Sequence, residues 1–579
     1  MIRTHTALLR AAAMLPALVA VLAFTPVPAE SPADSTLLQS AEPVRASRGM
    51  VVAEHWRAAE VGRDVLAAGG NAVDAAIATG FALAVTHPSA GNIGGGGFMV
   101  IRFPNGTTTA LDFREKAPLA AHPEMWLDES GEYSSELHHR SHRSVGVPGT
   151  VAGFDKAHRL FGSMNWERLV YPSVVLADDG FEVTERLAEA LQSLVERRSE
   201  YAATVAAFSK DGTPYEPGET LRQPDLAQSL ERIMLNRGDG FYRGETARLV
   251  AEEMRRGGGL ITEADLELYR AKERSPIHGA YRGHEIISMP PPSSGGVALV
   301  TMLNVLEGFD LASMGHNTTP YVHHVAEAMR RAFRDRAQYL ADADFVDVPV
   351  HRLTSKDHAD ELRRTIDAGQ ATASSPDEVA EGYESPETTH YSVVDADGMA
   401  VSVTYTLESG FGSGIVVPGA GFLLNNEMGD FNAGPGLTDE RGLIGTRPNL
   451  ARPEQRMLSS MTPSIVAKDG ELVAVVGSPG GRTIINTVLQ VILNVVDFGM
   501  NIQQAVDASR IHHQWLPDRV RVEEEGLSEF TVQELEALGH TVSVGGRQGL
   551  AHSIMIDPLT GDRLGAADGR NPDAGARGH

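Results

Sequence analysis

Two adjacent threonines, Thr388 and Thr389, head the segment TTHYSVVDADGMAVSVTYT. A threonine hydroxyl is a weak nucleophile and attacks a carbonyl only when a base takes its proton. The chain has no cysteine and no Ser/His/Asp signature. One solution makes the threonine N-terminal, so that its own α-amino group, with a pKa of roughly 7.7–8.0, is the base. Thr388 has such an amine only if the bond between Glu387 and Thr388 is cut. On this segment alone the bland reading, two β-favouring residues at a strand start, is the better one.

The segment reads as a β-hairpin. A two-residue turn at Asp397-Gly398 is a strong hairpin signal. Counting outward pairs Ala396 with Met399, Ser392 with Val403 and Thr389 with Thr406. Thr388 then falls opposite Leu407, one place from Thr406, which brings a second hydroxyl within reach.

Other clusters weaken on inspection. The glycine run in AGNIGGGGFMVIRF lacks the Gly-Lys-Ser/Thr ending and strand-to-helix context of a phosphate loop, and reads as a turn into a strand. His138, His139 and His142 carry no HExxH or cysteine partner and read as a solvated loop. His323 and His324 read as positions on a long amphipathic helix with Arg and Asp on its outer face. No cofactor or metal is expected.

The elements that must position Thr388 follow from local signals. Trp56 to Pro88 reads as two helices, the first ending at Gly69-Gly70 and the second capped by Asn71 and interior. SIVAKDGELVAVVG, from Ser464, repeats the hairpin design around Asp469-Gly470, and SPGGRTIINTVLQVILNVVDFG is a glycine turn into an apolar helix. Strand pairs with apolar helices imply a layered α/β arrangement with antiparallel sheets.

A formal net charge of −26 argues against nucleic-acid binding and fits a well-solvated protein. Basic Arg3 and Arg10, the apolar run Ala11 to Phe24 and the small residues up to Ala29 form a signal-peptide layout, with cleavage after Ala29. The run contains Pro16 and is short for a membrane span. An exported protein without cysteine must be stable from its core alone. Only the end, from about Asp568 to His579, has the composition of a disordered tail.

From about Gly49 to Gly569 the chain resembles the γ-glutamyltranspeptidase family. The resemblance rests on the threonine segment together with GGNAVDAAIATGFALAVTHPSAGNIGGGGFMV, DFREKAP, GVPGTVAGF, PSSGG, NNEMGDF, LSSMTPSIV and GSPGGRTI, in that order. It implies a four-layer αββα N-terminal-nucleophile hydrolase fold of the α+β kind. It also implies self-cleavage before Thr388 into a large subunit, 30–387, and a small catalytic subunit, 388–579, paired as a heterodimer. Thr388 would be the nucleophile of both self-cleavage and turnover, with Thr406 as its hydrogen-bonding support. Gly480 and Gly481 match the oxyanion-hole pair. Arg114 matches the arginine that grips the substrate carboxylate, Ser459 and Ser460 the hydroxyls beside it, and Asp430 the aspartate that binds its ammonium. Read blind, Arg114 is a surface ion pair, the serines a turn and Asp430 a helix cap.

The reaction implied is transfer of the γ-glutamyl group of glutathione or a related amide to water, an amino acid or a peptide. Two departures stand out. Glu408 and Glu427, the remaining substrate-site positions, are Asn and often Gln in well-known members, and glutamate in Bacillus-type ones. The stretch from Asp430 to Ser459 has the length of a lid-bearing member, with Arg441 where those relatives have a gating tyrosine. The alternatives are a cephalosporin (glutaryl) acylase, a poly-γ-glutamate hydrolase, or an inactive exported binding homologue.

Overall fold

The computed structural model describes residues 42–375, 388–437 and 446–579. Glu387, Arg441 and the expected leader, 1–29, lie outside them.

Two seven-stranded sheets form the centre. In the first, the order is Gly575–Gly578, Met50–Ala53, Thr389–Val394, Ala400–Thr406, Gly96–Arg102, Thr108–Phe113 and Lys272–Arg274. In the second it is Val44–Ala46, Arg563–Ala566, Ser553–Ile556, Glu471–Val476, Ser464–Lys468, His284–Ser288 and Ile277–Tyr281. Every pairing in both is antiparallel.

Side-chain alternation assembles the layers. Met50, Val52, Phe98 and Val100 point between the sheets, where they meet Ile287, Ile465, Val475 and Ile554. Their neighbours Val51, Ala53, Met99 and Ile101 point the other way, into a core shared with the helices Trp56–Ala67, Ala72–Thr86 and Thr150–Phe161. On the far side, Ile286, Val466 and Ala474 pack against the helices Gly295–Leu306, Thr319–Tyr339 and Thr483–Val496. The result is the expected four-layer αββα sandwich.

The expected helix pair forms. Asn71 caps the second helix in a reciprocal box with Asp74, and every residue of Ala72–Thr86 is buried. The Asp469-Gly470 turn also forms, with positive φ at both residues.

Several expectations need correction. The Thr389 hairpin pairs Thr389 with Tyr405 and Val394 with Ala400, one residue away from the two-residue-turn count. Asp395 sets this by accepting the N–H groups of Asp397 and Met399 on its carboxylate, which makes a three-residue loop ended by Gly398 at φ 85°. His138 and His142 are buried in short helical turns rather than in a solvated loop. On Thr319–Tyr339, Arg330, Arg331, Asp335 and Arg336 are buried too: Glu327 pairs with Arg330 and Arg331, His358 with Asp335, and Arg336 donates to Ser294 and Ser460. The C-terminal segment is ordered: Gly575–Gly578 edges the first sheet, and Asp568 is buried against Arg510 at 2.7 Å.

Candidate active site

Thr388 immediately precedes the strand Thr389–Val394 and is 6% exposed. The observed register, continued by one residue, sets it directly opposite Thr406. The corrected hairpin therefore brings the two hydroxyl-bearing residues closer than the sequence count does. Thr406 is held from two sides. Its Oγ1 accepts the N–H of Glu408 at 2.8 Å, and its carbonyl accepts from Asn92 Nδ2 at 2.8 Å. The glycine run serves this contact. A Cβ on Gly95 would collide with the Thr406 carbonyl oxygen. Thr406→Val, which keeps the shape and removes the hydroxyl, is expected to slow both self-cleavage and turnover by about 10–100-fold, the scale of one or two hydrogen bonds. Gel-based maturation kinetics and a turnover assay check this.

One small pocket gathers Thr388, Thr406, Arg114, Glu408, Glu427, Asp430, Ser459, Ser460 and Gly481. Residues from distant parts of the sequence thus meet at one point. Gly480 lies beside Thr388 in the wall of a second, larger cavity. Gly480 and Gly481 sit at φ 130° and 56°, a backbone that side chains disfavour, and a Cβ on Gly480 would clash with Thr483. The helix Thr483–Val496 starts just after them, so the positive end of its dipole lies in the wall of the cavity that Thr388 also lines.

Arg114 is the hub. Its Nη1 lies against Glu427 and its Nη2 against Asp430, with Glu115 3.7 Å from Nη1. The contact with Glu427 is an ion pair whose orientation makes no hydrogen bond. Burial works against the guanidinium charge, but Glu427, Asp430 and Glu115 outweigh it and hold Arg114 above its ordinary pKa. Asp112 accepts the backbone N–H of Arg114 at 3.0 Å, and the Tyr269 hydroxyl donates to its carbonyl at 2.7 Å. These contacts fix the strand end from which the side chain projects.

The acids sit on rigid turns. Glu427 and Asp430 belong to a 3-10 turn, Glu427–Asp430, whose first N–H donates to Asn425 Oδ1. Asn425 in turn donates to the carbonyls of Gly94 and Gly146. Asn449 Nδ2 holds the Asp430 carbonyl at 2.7 Å. Glu408 stands at φ 81°, a strained position for a side chain, and its Oε2 accepts from Ser409 Oγ at 2.6 Å and from Asn426 Nδ2. Burial, opposed by Arg114 and reinforced by Glu115, Asp430 and Glu408, pushes the Glu427 carboxyl well above its usual range.

Sequence reasoning missed several supporting residues. Arg336 donates to Ser294 Oγ at 2.9 Å and to Ser460 Oγ at 3.1 Å. Ser294 holds the Ser459 carbonyl through its N–H and its Oγ, both at 2.7 Å. The PSSGG stretch thus carries the serine pair. Arg336 falls four residues after Ala332 on the same apolar stripe as Tyr321, Val325 and Ala328, and a cation on such a stripe was a readable signal.

Glu115 was also missed. Both its oxygens are buried without a hydrogen-bond partner among the described residues. Burial, opposed by Arg114, pushes its carboxyl up to about 8. The native state therefore binds a proton that the unfolded chain releases near pH 4.5. This contribution to stability is fully present below about pH 4.5 and is lost as pH rises through about 8. Glu115→Gln, neutral at all pH, is expected to flatten the fall in unfolding midpoint across that window. Denaturant titrations of both proteins from pH 4.5 to 8.5 check it.

Among the described residues no group of three or more His, Cys, Asp or Glu side chains could hold a metal ion, and no helix is long and apolar enough to cross a membrane.

Two facing antiparallel sheets with helices on both outer faces form the fold of the N-terminal-nucleophile hydrolases, and Thr388 stands at a buried strand start in it. The Gamma-glutamyltranspeptidase family model matches residues 58–578. Glutathione hydrolase proenzyme of Escherichia coli (strain K12) is 50% identical over 535 residues, covering 92% of each chain. The crystal structure of cephalosporin acylase from Bacillus halodurans superposes with a TM-score of 0.83 at 29% identity, covering 93% of this chain and 97% of that one. Helicobacter pylori gamma-glutamyltranspeptidase is 46% identical with a TM-score of 0.54, covering 54% of this chain and 90% of that one. The chain belongs to the gamma-glutamyltranspeptidase family.

Proposed function

We propose that this protein is a γ-glutamyltransferase and glutathione hydrolase that matures by cutting itself between Glu387 and Thr388. The observation that carries this reading is the convergence of Thr388, Arg114, the acids and Ser459-Ser460 on one pocket, in a chain half identical to a glutathione hydrolase proenzyme.

In maturation, the Thr388 Oγ attacks the carbonyl of Glu387. The peptide bond becomes an ester as the nitrogen takes a proton, and water hydrolyses the ester. This frees the Thr388 amine and gives fragments 30–387 and 388–579, which stay together as one globular unit. In turnover, the free amine accepts the hydroxyl proton while Oγ attacks the γ-carbonyl. The backbone N–H groups of Gly480 and Gly481 stabilise the oxyanion, at a few kcal/mol per donor. The proton passes to the departing amine, and a γ-glutamyl-Thr388 ester remains. Water, or the amine of an amino acid or peptide, resolves it.

The glutamate head group is a zwitterion. The site already contains its two halves, paired with each other as Arg114 with Glu427 and Asp430. The pocket holds about 20 Å³ as it stands, room for roughly one water. Substrate enters by exchange. Its carboxylate replaces the acids on Arg114, helped by Ser459 and Ser460, and its ammonium replaces Arg114 on Glu408, Glu427 and Asp430. Each charge of the zwitterion then meets an opposite one. A glutaryl group lacks the ammonium and would strand these acids, which favours the γ-glutamyl reading over the acylase one.

The test compares γ-glutamyl-p-nitroanilide and glutathione with a glutaryl amide. Release from the γ-glutamyl compounds alone is expected. Preferential release from the glutaryl amide would assign the acylase activity instead. We further propose that residues 1–29 direct export to the periplasm or the medium.

A further inference from the structure

Thr388 faces two spaces. One is the small pocket with Arg114. The other is an open cavity of about 740 Å³, in the range of small-molecule sites. If the γ-glutamyl half of the substrate occupies the first, its scissile carbonyl lies at Thr388, and the amine half points into the second. An attacking amine must approach along the path by which the first one leaves. One cavity therefore receives both the leaving group and the acceptor.

The cavity wall is notable for unpaired cations in a chain of net charge −26. Arg186, Arg521, Arg547 and Arg570 line it. Arg570 is satisfied by Glu523 at 2.6 Å and Asp568 at 3.2 Å. The other three make no ion pair among the described residues. Among the described residues Arg547 donates only to the backbone carbonyl of Arg570, at 2.5 Å. Arg521 is half-buried on the strand Val520–Glu523, and its side chain makes no hydrogen bond among the described residues. The nearby Glu523 is already taken by Arg570 and by the backbone N–H groups of Arg510 and Gln548. Burial and the neighbouring Arg519 depress the Arg521 pKa, which marks a guanidinium lacking a counter-charge.

The acids at this cavity offer little relief. Glu54 is held by Asn571 Nδ2 at 2.6 Å, and Asp573 accepts from Thr184 Oγ1 at 2.8 Å. Glu185 and Glu189 flank Arg186 on its own exposed helix, so Arg186 is the weakest of the three. A half-buried guanidinium without a partner, as at Arg521, is costly unless a ligand completes it, and Arg547 stands exposed beside the same cavity.

We propose that Arg521 and Arg547 bind the C-terminal carboxylate of the peptide that leaves or accepts the γ-glutamyl group. The substrate class is thus narrowed to γ-glutamyl peptides with a free carboxylate, and to peptide acceptors over neutral amines. A two-residue leaving group spans about 7 Å, a reach this cavity accommodates. The inference rests on the proposed γ-glutamyl transfer.

The test neutralises the carboxylate on the substrate rather than on the protein. Glutathione is compared with its glycine amide as donor. Glycylglycine is compared with glycylglycinamide as acceptor from γ-glutamyl-p-nitroanilide. The wild-type protein is expected to prefer the acid about tenfold in kcat/KM in each arm, the size of one charge-assisted hydrogen bond. Arg521→Gln/Arg547→Gln is expected to erase the preference, and Arg547→Lys with Arg521 intact to retain most of it. Equal use of acid and amide by the wild type in either arm overturns the assignment. So does a preference that survives in the double variant. Failure to turn over any γ-glutamyl compound would instead reject the proposed function.

Discussion

Thr388→Ala is expected to give one uncut chain whose turnover of γ-glutamyl amides falls by about 10⁵–10⁶-fold, the loss typical of removing a nucleophile. The variant should fold, because Thr388 contributes one buried methyl and one hydroxyl at a strand start, and the strand Thr389–Val394 stays paired on both sides. Loss of cutting and of turnover together follows from one hydroxyl serving both steps. Thr388→Ser separates chemistry from packing: it keeps the hydroxyl and should still cut itself, more slowly, and then turn over substrate. Two fragments from the alanine variant would remove Thr388 from the mechanism, whatever its activity. Gel electrophoresis of freshly purified and aged protein reads the outcome directly.

The second large effect concerns Arg114. Arg114→Lys is expected to lower kcat/KM by roughly 10²–10³-fold while leaving self-cleavage intact. The lysine keeps one positive charge near Glu427 and Asp430 but cannot grip a carboxylate at two points, a loss of about 3–4 kcal/mol. Arg114→Ala is a harsher change. It strands several buried acids beside one another, at about 3–5 kcal/mol in stability, and confounds binding with folding. The split between the two functions is the informative readout, because the proposed role of Arg114 is toward substrate alone. A folded lysine variant in which the cut fraction falls in step with activity would contradict that role.

Much of this arrangement was legible in the sequence where local chemistry decides structure. Asn71 and Asp74 specify a helix start by reciprocal capping, and Asp469-Gly470 specifies a tight turn. Both work within four residues. The hairpin at Thr389 was misread by one residue because Asp395, outside the counted turn, captures two N–H groups and lengthens the loop. The site residues were legible as a set in family order, but their pairing was not. Nothing in the spacing of Arg114, Glu427 and Asp430 says that they pair with one another in the fold. The buried charges on Thr319–Tyr339 were misplaced for a related reason. Helical periodicity marks where polar residues fall, not whether a second layer covers them, and here Glu327 and His358 supply buried partners. Arg336 and Glu115 escaped notice because each acts through neighbours that only the folded sheets bring together.

The most direct test of the central claim is intact mass and N-terminal sequencing of the purified wild-type protein. Two fragments are expected, the smaller starting Thr-Thr-His-Tyr-Ser, which would establish a free amine on Thr388. A single stable chain, or a cut at any other bond, would contradict the account.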